Sequence, residues 1–248
     1  MKKTTIILLA LVLSFGCKDK HKTERIEIAE KLDMPEKANS EWEILFDGSS
    51  FEHWKGYLKN DVDATWKIED NAMVFYPPKE RPKGESYNLV TQSEYTDFVL
   101  SLEWKISEKG NSGVFWGIKE DRRYGQPYAT GPEIQVLDNE KHPDAKNGTS
   151  RQAGALYDMV APSKDVTNPV GEWNTMIIMV DHKKNRGGVV LNDVEIVSFP
   201  VGNEKWNEMV SKSKFAGWDG FGEFTTGKIG LQDHGDKVAY RNIKIKRL

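Results

Sequence analysis

Gly131-Pro132-Glu133-Ile134-Gln135-Val136-Leu137-Asp138 decides what kind of fold this chain adopts. Successive side chains of a strand point to opposite faces, so Ile134 and Val136 take one side and Glu133 and Gln135 the other. One side is core; the other presents an acid and an amide two residues apart on a stiff support. Upstream, Gly110-Asn111-Ser112-Gly113-Val114-Phe115-Trp116-Gly117 leads into a polar loop carrying Tyr124, Tyr128 and Gly131. Together the two segments predict the floor and rim of a cleft the size of a sugar ring.

Strand-like runs broken by turn residues extend in both directions. Phe98, Leu100, Leu102, Trp104 and Ile106 alternate with Val99, Ser101, Glu103 and Lys105, which predicts a half-buried antiparallel strand. Thr65 to Ile68 and Met73 to Tyr76 flank Glu69-Asp70-Asn71, a short hairpin turn. Trp173 to Val180 is apolar on both sides and reads as a central strand, with Trp104 and Trp173 in the core. Val189-Val190-Leu191 and Val194-Glu195-Ile196-Val197 are joined by Asn192-Asp193, residues that accept the positive φ of a tight hairpin. Lys228 to His234 and Val238 to Lys246 supply two more strands. One helix is predicted, Asn203 to Lys212, where an Asn cap precedes Trp206, Met209 and Val210 at helical spacing. Many short strands, long polar loops and one short peripheral helix predict an all-β sandwich of two antiparallel sheets. The sequence has no solenoid or propeller period and no βαβ alternation.

The 248 residues divide into three parts. Lys2 and Lys3 precede the apolar run Ile6 to Leu13, which falls short of the roughly 20 residues that span a bilayer and ends at Ser14-Phe15-Gly16-Cys17. Residues 1–17 resemble a bacterial lipoprotein signal, with Cys17 as the lipidated new N-terminus; a plain secretory signal cleaved nearby is the alternative. The expectation is an exported protein, lipid-anchored to the cell envelope at the outer membrane or periplasm. Residues 18–40 are rich in Lys, Glu and Asp and read as a flexible tether reaching about 25 Å. Residues 41–248 form the globular domain, opening with Glu41-Trp42-Glu43-Ile44-Leu45-Phe46-Asp47-Gly48. Cys17 is the only cysteine, so stability rests on packing rather than on an internal disulfide. A net charge of -3 gives no field that would attract nucleic acid.

Leu45-Phe46-Asp47-Gly48, Gly110-Asn111-Ser112-Gly113-Val114-Phe115, Gly131 to Asp138, Gly154-Ala155-Leu156-Tyr157-Asp158, Gly171-Glu172-Trp173-Asn174, Leu231-Gln232-Asp233-His234-Gly235 and Arg241-Asn242-Ile243 follow one another in a recognisable order. From Trp42 to Leu248 the chain resembles the 3-keto-disaccharide hydrolase family, also described as 3-keto-glucoside 1,2-lyase/2-hydroxyglucal hydratase. The resemblance implies a concanavalin A-like jelly-roll, action on sugars oxidised at carbon 3, and a carbohydrate as partner. Many members are exported lipoproteins, in agreement with the N-terminal signal.

A ketone at carbon 3 acidifies the hydrogen on carbon 2, so a base can remove it and the enolate can expel the glycosidic oxygen from carbon 1. Water then adds across the glucal. Such a site needs a base, groups that stabilise the enolate oxygen and an acid for the leaving group. Glu133 is the first candidate, because a carboxylate on a stiff strand is held at fixed geometry; the alternative is a solvated or Arg-paired Glu. His234 stands with Gln232 opposite Ile229 and Leu231 and can exchange a proton near neutral pH, or simply bond a loop carbonyl. Arg241 is the third catalytic candidate, as enolate stabiliser or as a counter-charge to Glu133 or Asp233.

Gln135 and Gln232 are candidates for sugar hydroxyls, with a cross-strand hydrogen bond the alternative for Gln135; Asn111 and Ser112, set between glycines, are candidates for close contact with a ligand, or for a tight turn linking two strands. Tyr124, Tyr128, Trp116, Tyr157 and Trp218 are candidate stacking platforms, of which one or two are expected to serve. Asp138 is a further binding candidate, although simple alternation turns it away from Glu133 and a turn cap explains it equally well. The loop from Asn139 to Gly154 is long for an antiparallel connection, and His142 and Arg151 within it are placed to close over a ligand. Glu133, Asp138, His142 and His234 could also furnish ligands to a divalent cation, without any compact metal spacing.

Two other functions compete. Glu133, Gln135 and Asp138 occupy the offsets at which retaining β-glucanases place Glu, Asp and Glu, which suggests a conventional endo-glycanase. There the middle acid is an amide here and the last is shortened, which spoils the two-carboxyl geometry such hydrolysis needs. A non-catalytic carbohydrate-binding lipoprotein would need the aromatics but neither Glu133 nor His234.

Overall fold

The computed structural model describes residues 41–248. The signal, Cys17 and the tether expected over residues 1–40 lie outside them. Within the described residues thirteen strands pair antiparallel throughout and make two sheets. The larger sheet is assembled in the order β11 (Val194–Phe199), β10 (Arg186–Leu191), β9 (Asn174–Asp181), β6 (Phe98–Ile106), β13 (Val238–Arg247), β4 (Ala72–Phe75) and β3 (Trp66–Glu69), and β1 (Glu43–Phe46) adds to β13. The smaller sheet is β2 (Trp54–Gly56), β5 (Leu89–Thr91), β12 (Lys228–Leu231), β7 (Asn111–Ile118) and β8 (Glu133–Leu137). This is the all-β sandwich of two antiparallel sheets expected from the alternation, and the jelly-roll that the resemblance implies. Among the described residues no helix is long and apolar enough to cross a membrane.

Local chemistry explains the corners. Asn192 and Asp193 both adopt positive φ, 46° and 65°, and turn β10 into β11. Asp70 and Asn71 do the same between β3 and β4. The helix α1 (Glu204–Ser211) starts where the Asn203 side chain accepts the Trp206 N–H at 3.0 Å, and it tucks Trp206 beside Phe199.

Between the sheets lie Leu100, Leu102 and Trp104 of β6, Val114 and Trp116 of β7, Ile134 and Val136 of β8, Ile229 and Leu231 of β12, and Tyr240, Ile243 and Ile245 of β13. Each large side chain removed from water contributes about 1.5–3 kcal/mol. In β13 the inward parity changes from Tyr240 to Ile243 because Asn242, at φ 52°, sits in a register shift that absorbs one residue. Trp173 departs from the expected core position. It precedes β9, and its half-buried ring lies between Lys105 and Arg241, 4.7 and 4.0 Å from the ring centre.

Ser112, expected at a ligand, faces the core instead, since alternation along β7 puts it on the side of Val114 and Trp116. Its Oγ lies 2.7 Å from the Gln232 carbonyl oxygen and 2.7 Å from the Tyr240 hydroxyl, so it ties two strands of the smaller sheet to the centre of the larger one. Ser112→Ala would leave Tyr240 with only a 3.5 Å contact to the Gly113 carbonyl. The expected cost is about 1–3 kcal/mol in urea unfolding, with turnover per folded molecule unchanged.

Candidate active site

The alternation that fills the core leaves Asn111, Gly113, Glu133, Gln135 and Gln232 on the other face of the smaller sheet. All but Gly113 line a cavity of about 270 Å³, whose walls are Tyr128, Tyr157, Lys214, Phe215, Trp218 and His234. Glu133 is buried, and it fits because residue 113 has no side chain: a Cβ there would overlap the Glu133 carboxyl. Among the described residues the carboxyl has neither a hydrogen-bond nor an ion-pair partner. Burial therefore dominates and pushes its pKa up to about 8, with Lys214 pulling it down and Asp144 pushing it further up.

Three amides surround this acid. Gln135 donates from Nε2 to the Arg151 carbonyl at 3.3 Å, but its Oε1, like Oδ1 of Asn111 and Oε1 of Gln232, is buried without a partner among the described residues. An unpaired buried acceptor costs about 1–3 kcal/mol. Such amides gain by turning toward a hydroxyl-rich ligand, because each hydroxyl is a donor.

The walls come from loops, each fixed by its own polar contacts. The Tyr157 hydroxyl donates to Asp144 Oδ2 at 2.7 Å, and Arg151 spans Asp144 at 3.1 Å and Asp158 at 2.9 Å. Burial raises the Asp144 pKa, but the bonds from Tyr157, Asn147 and Arg151 outweigh it and hold the carboxyl below the usual range. Burial, then the bond to Asp144, raises the Tyr157 hydroxyl. Asp158 Oδ2 accepts the Lys214 N–H at 2.8 Å and sets the loop that follows α1. The Lys214 ammonium lies 4.1 Å from the centre of the Tyr157 ring. Its surface area is exposed, yet protein crowds it enough that desolvation draws its pKa below the usual lysine value. Phe215 stacks on Phe221 at 3.8 Å and meets Trp218 edge-on at 5.2 Å. Trp218 and Tyr128 stay 40% and 42% exposed, which leaves aromatic surface free at the rim.

His234 stands at the wall, edge-on to His142 with ring centres 6.2 Å apart. It too is exposed by area but crowded, and desolvation lowers its pKa against the opposing pull of Asp236. His142 caps the short turn Pro143–Asn147, its Nδ1 accepting the Asp144 N–H at 3.1 Å.

The sequence matches, over residues 41–246, the model of the 3-keto-alpha-glucoside-1,2-lyase-like domain family. The chain belongs to that family. A 3-keto-disaccharide hydrolase of Bacteroides thetaiotaomicron is 35% identical over 243 residues, covering 88% of this chain and 82% of that protein. A crystal structure from Parabacteroides distasonis, provisionally assigned as a glycosyl hydrolase, is 33% identical with a TM-score of 0.75 and covers 84% of this chain and 94% of its own. A galectin-like protein from Bacillus subtilis, 12% identical with a TM-score of 0.52 over 86% of this chain and 97% of that one, shares the fold alone.

The cavity gathers Glu133, Gln135, Asn111, Gln232, Tyr157 and His234 from the residues expected of it, together with Tyr128 and Trp218. Others lie elsewhere. Arg241 is on the outer face of the larger sheet, bonded to Glu103 at 2.8 and 2.7 Å, because its neighbour Tyr240 takes the inward side. Asp138 turns back to accept the N–H groups of Lys109, Glu140 and Lys141 at 2.7, 3.0 and 3.1 Å, a turn cap. Tyr124 bonds Arg123 and packs on Phe224, and Trp116 is core, stacked on Phe199. Arg151 clamps the loop rather than lining the cavity, and His142 touches the site only through His234. The four residues named for a cation do not converge: His142 and His234 do, but with Asp236 in place of Glu133 and Asp138.

Lys214 and Phe215 had not been expected in the site. The one sequence signal for them is the crowding of Phe215, Trp218 and Phe221 into a stretch with neither strand nor helix period.

A carboxyl whose pKa is raised by folding stays protonated in the native state after the unfolded chain has released its proton. Stability is then lost as pH rises from the ordinary glutamate range toward about 8. Glu133→Gln should remove that loss. It is expected to raise the unfolding free energy by on the order of 1–4 kcal/mol at about pH 8, and by little at about pH 4, in denaturant titrations at both values.

Proposed function

We propose that this protein cleaves the glycosidic bond of 3-keto-glycosides by elimination followed by hydration. Glu133 removes the proton from carbon 2, beside the keto group. The electron pair passes through the enolate and forms the carbon 1–carbon 2 double bond as the glycosidic oxygen leaves and takes a proton from solvent. Water then adds at carbon 1 while Glu133, whose proton exchanges with solvent between the two steps, protonates carbon 2. Lys214, the only Lys or Arg among the residues lining the cavity, opposes the charge that develops on the enolate, and Trp218 and Tyr128 present faces for the pyranose ring.

The observation that carries this proposal is that Glu133 is the only carboxyl among the residues lining the cavity. Retaining hydrolysis uses two carboxyls about 5–5.5 Å apart, and inverting hydrolysis two at about 6.5–9.5 Å. Here Gln135 stands in the middle position, and Asp138 is committed to its turn. A ketone lowers the requirement to one base, and a Glu with a pKa near 8 is a stronger base than an ordinary one. The hydrolase name of the 35% identical relative supports a carbohydrate substrate. On the same footing, we infer from residues 1–17 that a lipid on Cys17 holds the enzyme at the cell envelope.

Incubation with a 3-keto-glucoside and with its unoxidised parent separates the possibilities. Cleavage of the keto sugar alone is expected; cleavage of the parent would mean a conventional glycanase, and cleavage of neither a binding protein. Glu133→Gln should lower turnover at least about tenfold with the fold intact, and wild-type turnover would remove Glu133 from the mechanism. At pH 7 about a tenth of Glu133 is ionised. In a field set by Lys214, Asp144, Tyr157 and Tyr240, kcat/KM should therefore climb with pH and level off above about 8. A rate that falls over the same interval would assign Glu133 the role of acid.

A further inference from the structure

We propose that His142, His234 and Asp236 hold a divalent transition-metal ion at the edge of the cavity, where it polarises the keto group of the substrate. The role of the ion in turnover rests on the 3-keto reading; its binding does not. One ligand atom from each of the three residues lies within 4.8 Å of the other two. Ligands held at about 2.1 Å from an ion stand roughly 3 Å apart, so modest side-chain rotation closes the set.

The three come from two fixed places. His234 and Asp236 flank Gly235, at φ 106°, in the turn between β12 and β13. His142 comes from the loop after β8. Asp236 Oδ2 accepts the Asn111 N–H at 3.1 Å, which orients the carboxylate and leaves Oδ1 to a ligand, as outer contacts do at metal sites. Two imidazoles and one carboxylate suit manganese, iron, cobalt, nickel or zinc better than calcium or magnesium, and leave coordination positions open. His234 also lines the cavity that contains Glu133. An α-hydroxy ketone offers two neighbouring oxygens to such positions, and the ion would make the carbon 2 hydrogen more acidic.

One contact opposes the ion. His142 accepts the Asp144 N–H through Nδ1, so a neutral ring carries its proton on Nε2. Ligation by either nitrogen gives up that capping bond. A single 3.1 Å bond is the weaker partner against chelation by three residues, and its loss should loosen the turn Pro143–Asn147.

The test is titration of chelator-stripped full-length protein with Co²⁺, followed by its visible absorption, and with Mn²⁺ and Zn²⁺ by calorimetry. One ion per chain is expected. Affinity should fall more than about tenfold in Asp236→Asn and in His142→Ala, and stay unchanged in Glu133→Gln. Amide hydrogen exchange of residues 143–147 should quicken on binding. Turnover of the 3-keto-glucoside should fall on stripping and return with the ion. Failure of all three ions to bind, or binding indifferent to both ligand substitutions, would overturn the site. Full turnover by stripped enzyme would overturn the catalytic role while leaving elimination by Glu133 standing. Specific binding without cleavage of any keto sugar would support the site and refute the substrate reading.

Discussion

A buried carboxyl with no partner among the described residues is the constraint around which this protein is arranged. Among the described residues no hydrogen-bond donor or ion-pair partner replaces the solvation that Glu133 loses on folding, so its proton is held more tightly than in water. Natural proteins tolerate such a group where something else will use it. Gly113 provides the space, Lys214 an opposing charge in the same cavity, and the sheet beneath gives the acid a fixed position.

The same backbone alternation does two jobs. Along β7, β8 and β12 every second residue packs against the larger sheet, and the intervening residues form the polar floor. The Ser112 hydroxyl, bonded to Tyr240 across the sandwich, registers the floor against the core. The walls are supplied differently, by loops pinned through Asp144, Arg151, Tyr157 and Asp158. A floor with one ionisable acid and three under-bonded amides is poorly suited to two-carboxyl hydrolysis. It suits a substrate that brings its own electron sink.

Much of this was legible in the chain. Strict alternation in β6 and β8, the Asn192-Asp193 turn and the Asn203 cap each have a local physical cause, and each produced the expected element. The floor followed from the same rule: Glu133 and Gln135 face the cavity because Ile134 and Val136 face the core. Alternation also held the answer for Arg241, whose neighbour Tyr240 is the larger and more apolar residue and takes the interior. Asp138 sits just past the strand, where parity lapses and turn N–H groups compete for its oxygens. The positions of Lys214, Phe215 and Asp236 depend on loop paths that no periodicity encodes. They became visible only when distant segments were brought together.

The measurement that bears most directly on the central claim is the fate of the hydrogen on carbon 2. Single-turnover cleavage of a 3-keto-glucoside in deuterium oxide, faster than spontaneous exchange, should yield 3-keto-glucose carrying one solvent deuterium at carbon 2, because Glu133 returns a proton drawn from the solvent pool. A product that keeps its original hydrogen there, together with no primary isotope effect from a substrate deuterated at carbon 2, would mean that carbon 2 is never deprotonated, and elimination by Glu133 would be contradicted.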